Sequence, residues 1–95
     1  MENIFDIKLS KKATKDLKKT PLYIAIKLQA WIDDIGVRGI SEVIKIPGFH
    51  DEPLRGDRFG QRSIRLNHSY RAIYKIDKEQ GIKFIEILEV NKHEY

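Results

Sequence analysis

Five of the six arginines lie within the seventeen residues 55–71, and the chain closes twenty-four residues later on Lys92-His93-Glu94-Tyr95. Arginine presents a planar, permanently charged fork of donors that matches the oxygens of a phosphate. An imidazole, with an unperturbed pKa of about 6.5, and a phenol are groups that move protons. Clustered phosphate-binding cations followed by proton-transfer groups, in a small basic chain, point to the binding of an RNA backbone and to its cleavage.

The candidates are not equivalent. Arg65 and Arg71 flank a short turn at 67–69 and so sit at the same end of a hairpin. Arg62, three residues before Arg65, falls on the opposite face of a regular strand. Arg55 and Arg58 belong to the loop before it. Residues 55–75 hold five arginines and Lys75 against Asp57 alone. Such a cluster is either a solvated basic strand face or an anion site. Glu52 lies just upstream. Beside several arginines its carboxylate stays ionised and serves as a base, or it pairs with Arg55 or Arg58 at the surface. His93 is either a frayed terminal residue or a proton donor carried beside the hairpin by the strand before it. Tyr95 adds a phenol and the terminal carboxylate. Lys11, Lys12 and Lys15, with Lys8, Lys18 and Lys19, cover the first helix, as a solvated face or as a source of salt-sensitive attraction to a phosphate backbone. His50 and His68 read as loop and turn residues. Trp31, Tyr23, Tyr70 and Tyr74 read mainly as core, with Tyr70 also able to stack a base.

Those side chains need a scaffold. Residues 4–9 alternate, with Phe5, Ile7 and Leu9 on one side, which predicts a half-buried strand. Ser10 is an N-cap for a helix over 11–19. Thr20 is expected to cap the next helix with Pro21 in its first turn. That helix, over 22–37, carries Ile24, Leu28, Trp31, Ile32 and Ile35 on one stripe, and Gly36 and Gly39 mark its end. Residues 41–46 suit one more helical turn, and 50–57 a loop. The period then becomes two, giving strands over 61–66, 70–77 and 82–90, the last apolar on both faces and therefore central. The expectation is an α+β domain in the order β-α-α-β-β-β, with two helices on one face of a small antiparallel sheet.

Ninety-five residues make one domain, 1–95. The net charge of +4 and pI of about 9.4 favour acidic partners. There are no cysteines, so disulfides and thiolate zinc sites are excluded, and the three histidines lack close ligand spacing. No metal or cofactor is expected. No run approaches the ~18 apolar residues of a membrane span, and the N-terminus is not a signal sequence, so the chain is read as cytoplasmic.

The segments Asp51-Glu52-Pro53-Leu54-Arg55-Gly56, Gly60-Gln61-Arg62-Ser63-Ile64-Arg65-Leu66 and Tyr70-Arg71-Ala72-Ile73-Tyr74, followed by His93 and Tyr95, together resemble the RelE/YoeB/YafQ superfamily of bacterial toxins from type II toxin–antitoxin systems. The resemblance spans the chain. It implies an endoribonuclease that enters the ribosomal A site and cuts mRNA without a metal, held in check by a cognate antitoxin. It implies Glu52 as general base, Arg65 and Arg71 as holders of the scissile phosphate, His93 as general acid and Tyr95 as the terminal aromatic. YoeB-type chains end His-Tyr, whereas Glu94 intervenes here. YafQ-like members carry histidines where this chain has Glu52 and Arg65, so the set is more similar to that of YoeB. Two other readings stand beside it. One is a ParE-like toxin that inhibits DNA gyrase, and the other is an RNA-binding module indifferent to Glu52 and His93.

Overall fold

The structure, a computed structural model, describes residues 3–92. A first strand, β1 (Ile7–Leu9), leads into helices α1 (Lys11–Lys19), α2 (Leu22–Arg38) and the single turn α3 (Ile40–Val43). Strands β2 (Glu52–Pro53), β3 (Gln61–Arg65), β4 (Tyr70–Glu79) and β5 (Ile82–Lys92) follow, in the sheet order β1-β5-β4-β3-β2.

Local chemistry explains the helix boundaries. The Ser10 hydroxyl accepts from the Ala13 N–H at 2.9 Å and donates to the Leu88 carbonyl at 2.7 Å, capping α1 and tying it to β5. Thr20 does not cap α2 as expected. Its hydroxyl donates back to the Asp16 carbonyl at 2.7 Å and closes α1, so Pro21 takes the N-cap. Gly36 lies inside α2, and Gly39 alone ends it, at φ 78°; a Cβ there would lie 2.3 Å from the Asn3 side chain.

Ile24, Leu28, Trp31 and Ile35 of α2 pack in one core with Ile64, Leu66, Ala72, Tyr74, Ile85, Ile87 and Val90. Each large apolar side chain so buried contributes about 1.5–3 kcal/mol. The Trp31 and Tyr74 rings meet at 5.0 Å between centroids, inclined by 50°. The helices therefore cover one face of the sheet, as the apolar stripe requires.

Further details differ from the sequence expectation. The sheet is mixed, because β1 pairs parallel to β5 through Ile7↔Ile85, Lys8↔Glu86 and Leu9↔Ile87. The helices carry the chain to the far edge, and the β2–β5 meander returns it beside β1 running the same way. Glu52–Pro53, read as loop, forms a short edge strand opposite Ser63 and Arg62; two residues are too few to show a period, and an edge tolerates proline. The strand begins only at Ile7, so Ile4 is buried while Phe5 lies before it, 47% exposed, and Leu9, at the end of this edge strand, stays 44% exposed. As expected, β5 has a neighbour on each side, but its helix-covered face, at Ile85 and Ile87, is buried while Phe84 and Leu88 remain half-buried. Among the described residues no helix is long and apolar enough to cross a membrane.

Candidate functional site

The parity of β3 sets up the site. Ile64 and Leu66 go under the helices, so Gln61, Ser63 and Arg65 take the face that no helix covers. Strand register carries that face across the sheet. One row runs Glu52, Ser63, Ile73, Glu89, and the next runs Arg65, Arg71, Asn91. On the far side of the first row lie Gln61, Lys75 and Glu86.

Arg65 and Arg71 are directly opposed. The Leu66 N–H donates to the Tyr70 carbonyl at 2.9 Å, so the neighbouring 65/71 pair is the close, non-hydrogen-bonded kind, with Cα atoms about 4.5 Å apart. The turn that brings them together is held by Asn67, whose side-chain oxygen accepts from the N–H groups of Ser69 and Tyr70, both at 2.7 Å. Both arginines are half-buried, and neither has an ion-pair partner among the described residues. Two unneutralised guanidinium groups side by side repel each other and attract a bridging anion.

Glu52 shares this face. It stands opposite Ser63 and diagonal to Arg65, a separation of about 7–8 Å between such positions. It is exposed and pairs with neither Arg55 nor Arg58. Arg58 turns away from it instead. One terminal nitrogen donates to the Gln61 side chain at 2.9 Å and the other to the Glu89 carboxylate, so the guanidinium lies across the sheet like a strut. Ser63, Ile73 and Glu89, all on this face, are buried. The second Glu89 oxygen lies 3.7 Å from Lys12 Nζ, which also holds Asp16 at 3.0 Å. Asp16 in turn accepts from the Val90 N–H at 3.0 Å, on the stretch of β5 that runs beyond β1. Partial burial works against the Asp16 charge, but the Lys12 ammonium and the Val90 N–H outweigh it and hold the carboxyl below its ordinary range. The Asp16 hydrogen bond correspondingly raises Lys12.

Arg62 is on the other side of the sheet, as its parity predicts. Its Nε donates to Asp51 at 2.6 Å, and the same carboxylate accepts from the Tyr74 hydroxyl. The Asp51 side chain is fully buried. Burial opposes the Arg62 charge, but Asp51 more than compensates and raises it. Burial, and then the Asp51 carboxylate, push the Tyr74 phenol far above its ordinary value.

The structure thus gathers Glu52, Arg65 and Arg71 on one open face. Lys12 borders that face through Glu89, and Lys11, Lys15 and Arg55 are exposed and without ion pairs among the described residues. Arg58 is committed to Glu89 and Arg62 to Asp51. His93 and Tyr95 lie outside the described residues; β5 is described to Lys92. Sequence reasoning missed Asp51 and Glu89. A core-facing arginine at position 62 demands a buried anion, and a glutamate inside an apolar strand demands a cation. Those two requirements were the available signals.

A model of the family described as "ParE toxin of type II toxin-antitoxin system, parDE" matches residues 7–94. No curated protein matches significantly. Among solved structures, the YoeB/ParE toxin from Agrobacterium tumefaciens has a TM-score of 0.70 at 17% identity, over 94% of this chain and 99% of that one. YafQ from E. coli has a TM-score of 0.71 at 18% identity, over 92% and 91%. The toxin–antitoxin complex RelBE2 from Mycobacterium tuberculosis has a TM-score of 0.57 at 25% identity, over 93% and 96%. The first two likenesses establish a shared fold.

Proposed function

This chain belongs to the family of ParE toxins of type II toxin–antitoxin systems, and we propose that it is a toxin whose open sheet face cleaves mRNA on the ribosome. The observation that carries this reading is the opposed pair Arg65/Arg71 on the face that also bears Glu52. In the proposed reaction the Glu52 carboxylate takes the proton of a 2′-hydroxyl, whose oxygen attacks the adjacent phosphorus. Arg65 and Arg71 stabilise the charge that develops on the phosphoryl oxygens. His93 protonates the 5′-oxygen as its bond to phosphorus breaks, leaving a 2′,3′-cyclic phosphate and a 5′-hydroxyl. Tyr95 supplies the terminal aromatic that the resemblance implies. A positioned cationic donor of this kind is worth about 10²–10³-fold, and each proton-transfer group about 10²–10⁴-fold. No step requires a metal.

In this reading Arg65, Arg71 and Asn91 hold the phosphate, and Lys11, Lys12, Lys15 and Arg55 contribute field around it, whereas Arg58 and Arg62, expected as RNA-binding, are neutralised by Glu89 and Asp51. The proposed partners are mRNA, the ribosomal A site and a cognate antitoxin, in the cytoplasm. The Mycobacterium tuberculosis relative is itself a toxin–antitoxin complex, which supports the last of these.

A second reading rests on the family match to ParE over residues 7–94: a gyrase inhibitor, whose arginine rows would engage protein or DNA without chemistry. One experiment separates the two. Wild type, Glu52→Gln and His93→Gln are compared for mRNA cleavage in a reconstituted translation system with and without ribosomes, and for inhibition of gyrase supercoiling. The nuclease reading expects ribosome-dependent cuts lost in both variants. Intact mRNA with folded wild type, together with blocked supercoiling, selects the second.

A further inference from the structure

Phe59 is 86% exposed, more than any other large apolar side chain among the described residues. It is not left out by a slack loop. Residues 54–60 link β2 to β3, and the Leu54 N–H donates to the Gln61 carbonyl at 2.9 Å at the base of the loop. Inside it, the Arg58 N–H donates to the Arg55 carbonyl at 3.3 Å and the Phe59 N–H to the Gly56 carbonyl at 3.1 Å. Gly56 and Gly60 take the positive φ values, 64° and 96°, that let the chain turn so tightly. The Arg58 side chain then pins the loop to the sheet through Gln61 and Glu89. A bulky ring is thus held in water by an organised turn.

Its surroundings are polar. The neighbours in the loop are Arg55, Gly56, Asp57, Arg58 and Gly60, and Arg55 is exposed without an ion pair among the described residues. A protein-docking patch would be a contiguous apolar surface; a lone ring beside a free guanidinium is the arrangement that stacks a nucleobase and steadies the adjoining phosphate. The position also fits. Gln61, at the loop's edge, and Arg65 share the open face of β3, four residues or roughly 13 Å apart along the strand. A single strand held at Arg65 and Arg71 and running along β3 reaches the loop within a few nucleotides.

We propose that Phe59, with Arg55, forms a base-stacking subsite for single-stranded RNA, one that grips the substrate away from the cut. This rests on the nuclease reading, and it assigns Phe59 to binding rather than to chemistry. The ring's low conformational freedom and the pinned loop leave little ordering to be done on binding.

The test uses Phe59→Trp and a 2′-O-methyl oligonucleotide, which cannot be cleaved because it lacks the attacking hydroxyl. Trp31 is buried, so change in fluorescence on binding is read against wild type. Quenching by the oligonucleotide, absent with an abasic strand of the same length, supports the subsite. Equal quenching by both strands, or none by either, overturns it. In parallel, Phe59→Ala weakens binding of the same oligonucleotide by roughly 5- to 100-fold and Phe59→Tyr restores it; unchanged affinity in Phe59→Ala also overturns the proposal. The nuclease reading fails separately: base-dependent quenching by a protein that does not cut mRNA removes the reaction and keeps the subsite.

Discussion

Arg65 and Arg71 face each other directly across the β3–β4 pair, half-buried and without an ion pair among the described residues. Directly opposed like charges destabilise a sheet by an amount of order 0.2–1 kcal/mol. A structure that keeps this pair keeps it against its own stability, which supports the proposed phosphate-binding role.

Truncating either arginine therefore separates stability from function. Arg71→Ala should melt at the same temperature as wild type or slightly above it, because repulsion is relieved and no partner is orphaned. Cleavage should fall by about 10²–10³-fold. Thermal denaturation and mRNA cleavage on the same preparation check both halves; a clear loss of melting temperature would show that the pair is structural.

Much of this was readable in the residues before the fold was known, and the parts that were not share a physical cause. Alternation separates Arg62 from Arg65 onto opposite faces of one strand, as the structure has them. The stripe Ile24, Leu28, Trp31, Ile35 located the covering helix. Alternation states a face but never a partner. It left the parallel pairing of β1 with β5 undetermined, and it could not show that Arg58 would reach Glu89, 31 residues away. Glu52–Pro53 is too short to carry a period, so its place opposite Ser63 was invisible although Glu52 itself was singled out. Asp51 reads as a loop residue from the sequence, because only the assembled sheet brings Arg62 and Tyr74 onto it.

Asp51 is a stability hinge rather than a site residue. Its fully buried carboxylate answers both Arg62 and the Tyr74 hydroxyl. Asp51→Ala would leave a partly buried guanidinium and a buried phenol without their acceptor, so a loss of about 3–5 kcal/mol is expected. Urea denaturation measures it. A loss below about 1 kcal/mol would mean that solvent reaches the cluster freely.

The same cluster makes the fold sensitive to alkali. The Tyr74 phenol is raised far above the ordinary tyrosine value in the folded state. The unfolded chain releases this proton at about pH 10 and the folded chain holds it. The contribution is thus complete below pH 10 and is lost as pH rises from there towards the folded value. Absorbance titration should show Tyr74 ionising only as the fold opens, and Tyr74→Phe should remove that late step. Ionisation of every tyrosine near pH 10 with the fold intact would contradict it.

Asp16 acts in the opposite direction of pH. Its carboxyl is held below its ordinary range, chiefly by Lys12 and the Val90 N–H set against partial burial. Its contribution is present above the ordinary carboxylate value and disappears as pH falls through the lower folded one. Asp16→Ala leaves the Val90 N–H without its acceptor at 3.0 Å, for a loss of about 1–3 kcal/mol at neutral pH. Chemical denaturation at pH 7 and again well below the carboxylate range should show the difference from wild type shrinking with acidity.

Arg55 and Arg58 are three residues apart and should behave as opposites. Arg55 is exposed and unpaired among the described residues, whereas Arg58 bridges Gln61 and the buried Glu89. Arg55→Ala should leave the melting temperature unchanged and lower the salt dependence of RNA binding by about one phosphate contact. Arg58→Ala removes the main partner of a largely buried carboxylate, leaving only Lys12 at 3.7 Å. A loss of about 1–3 kcal/mol of stability follows. Binding isotherms at several salt concentrations, beside melting curves, distinguish the two. If Arg58→Ala kept full stability while Arg55→Ala lost it, the strut would have to be reassigned and the loop's support of Phe59 with it.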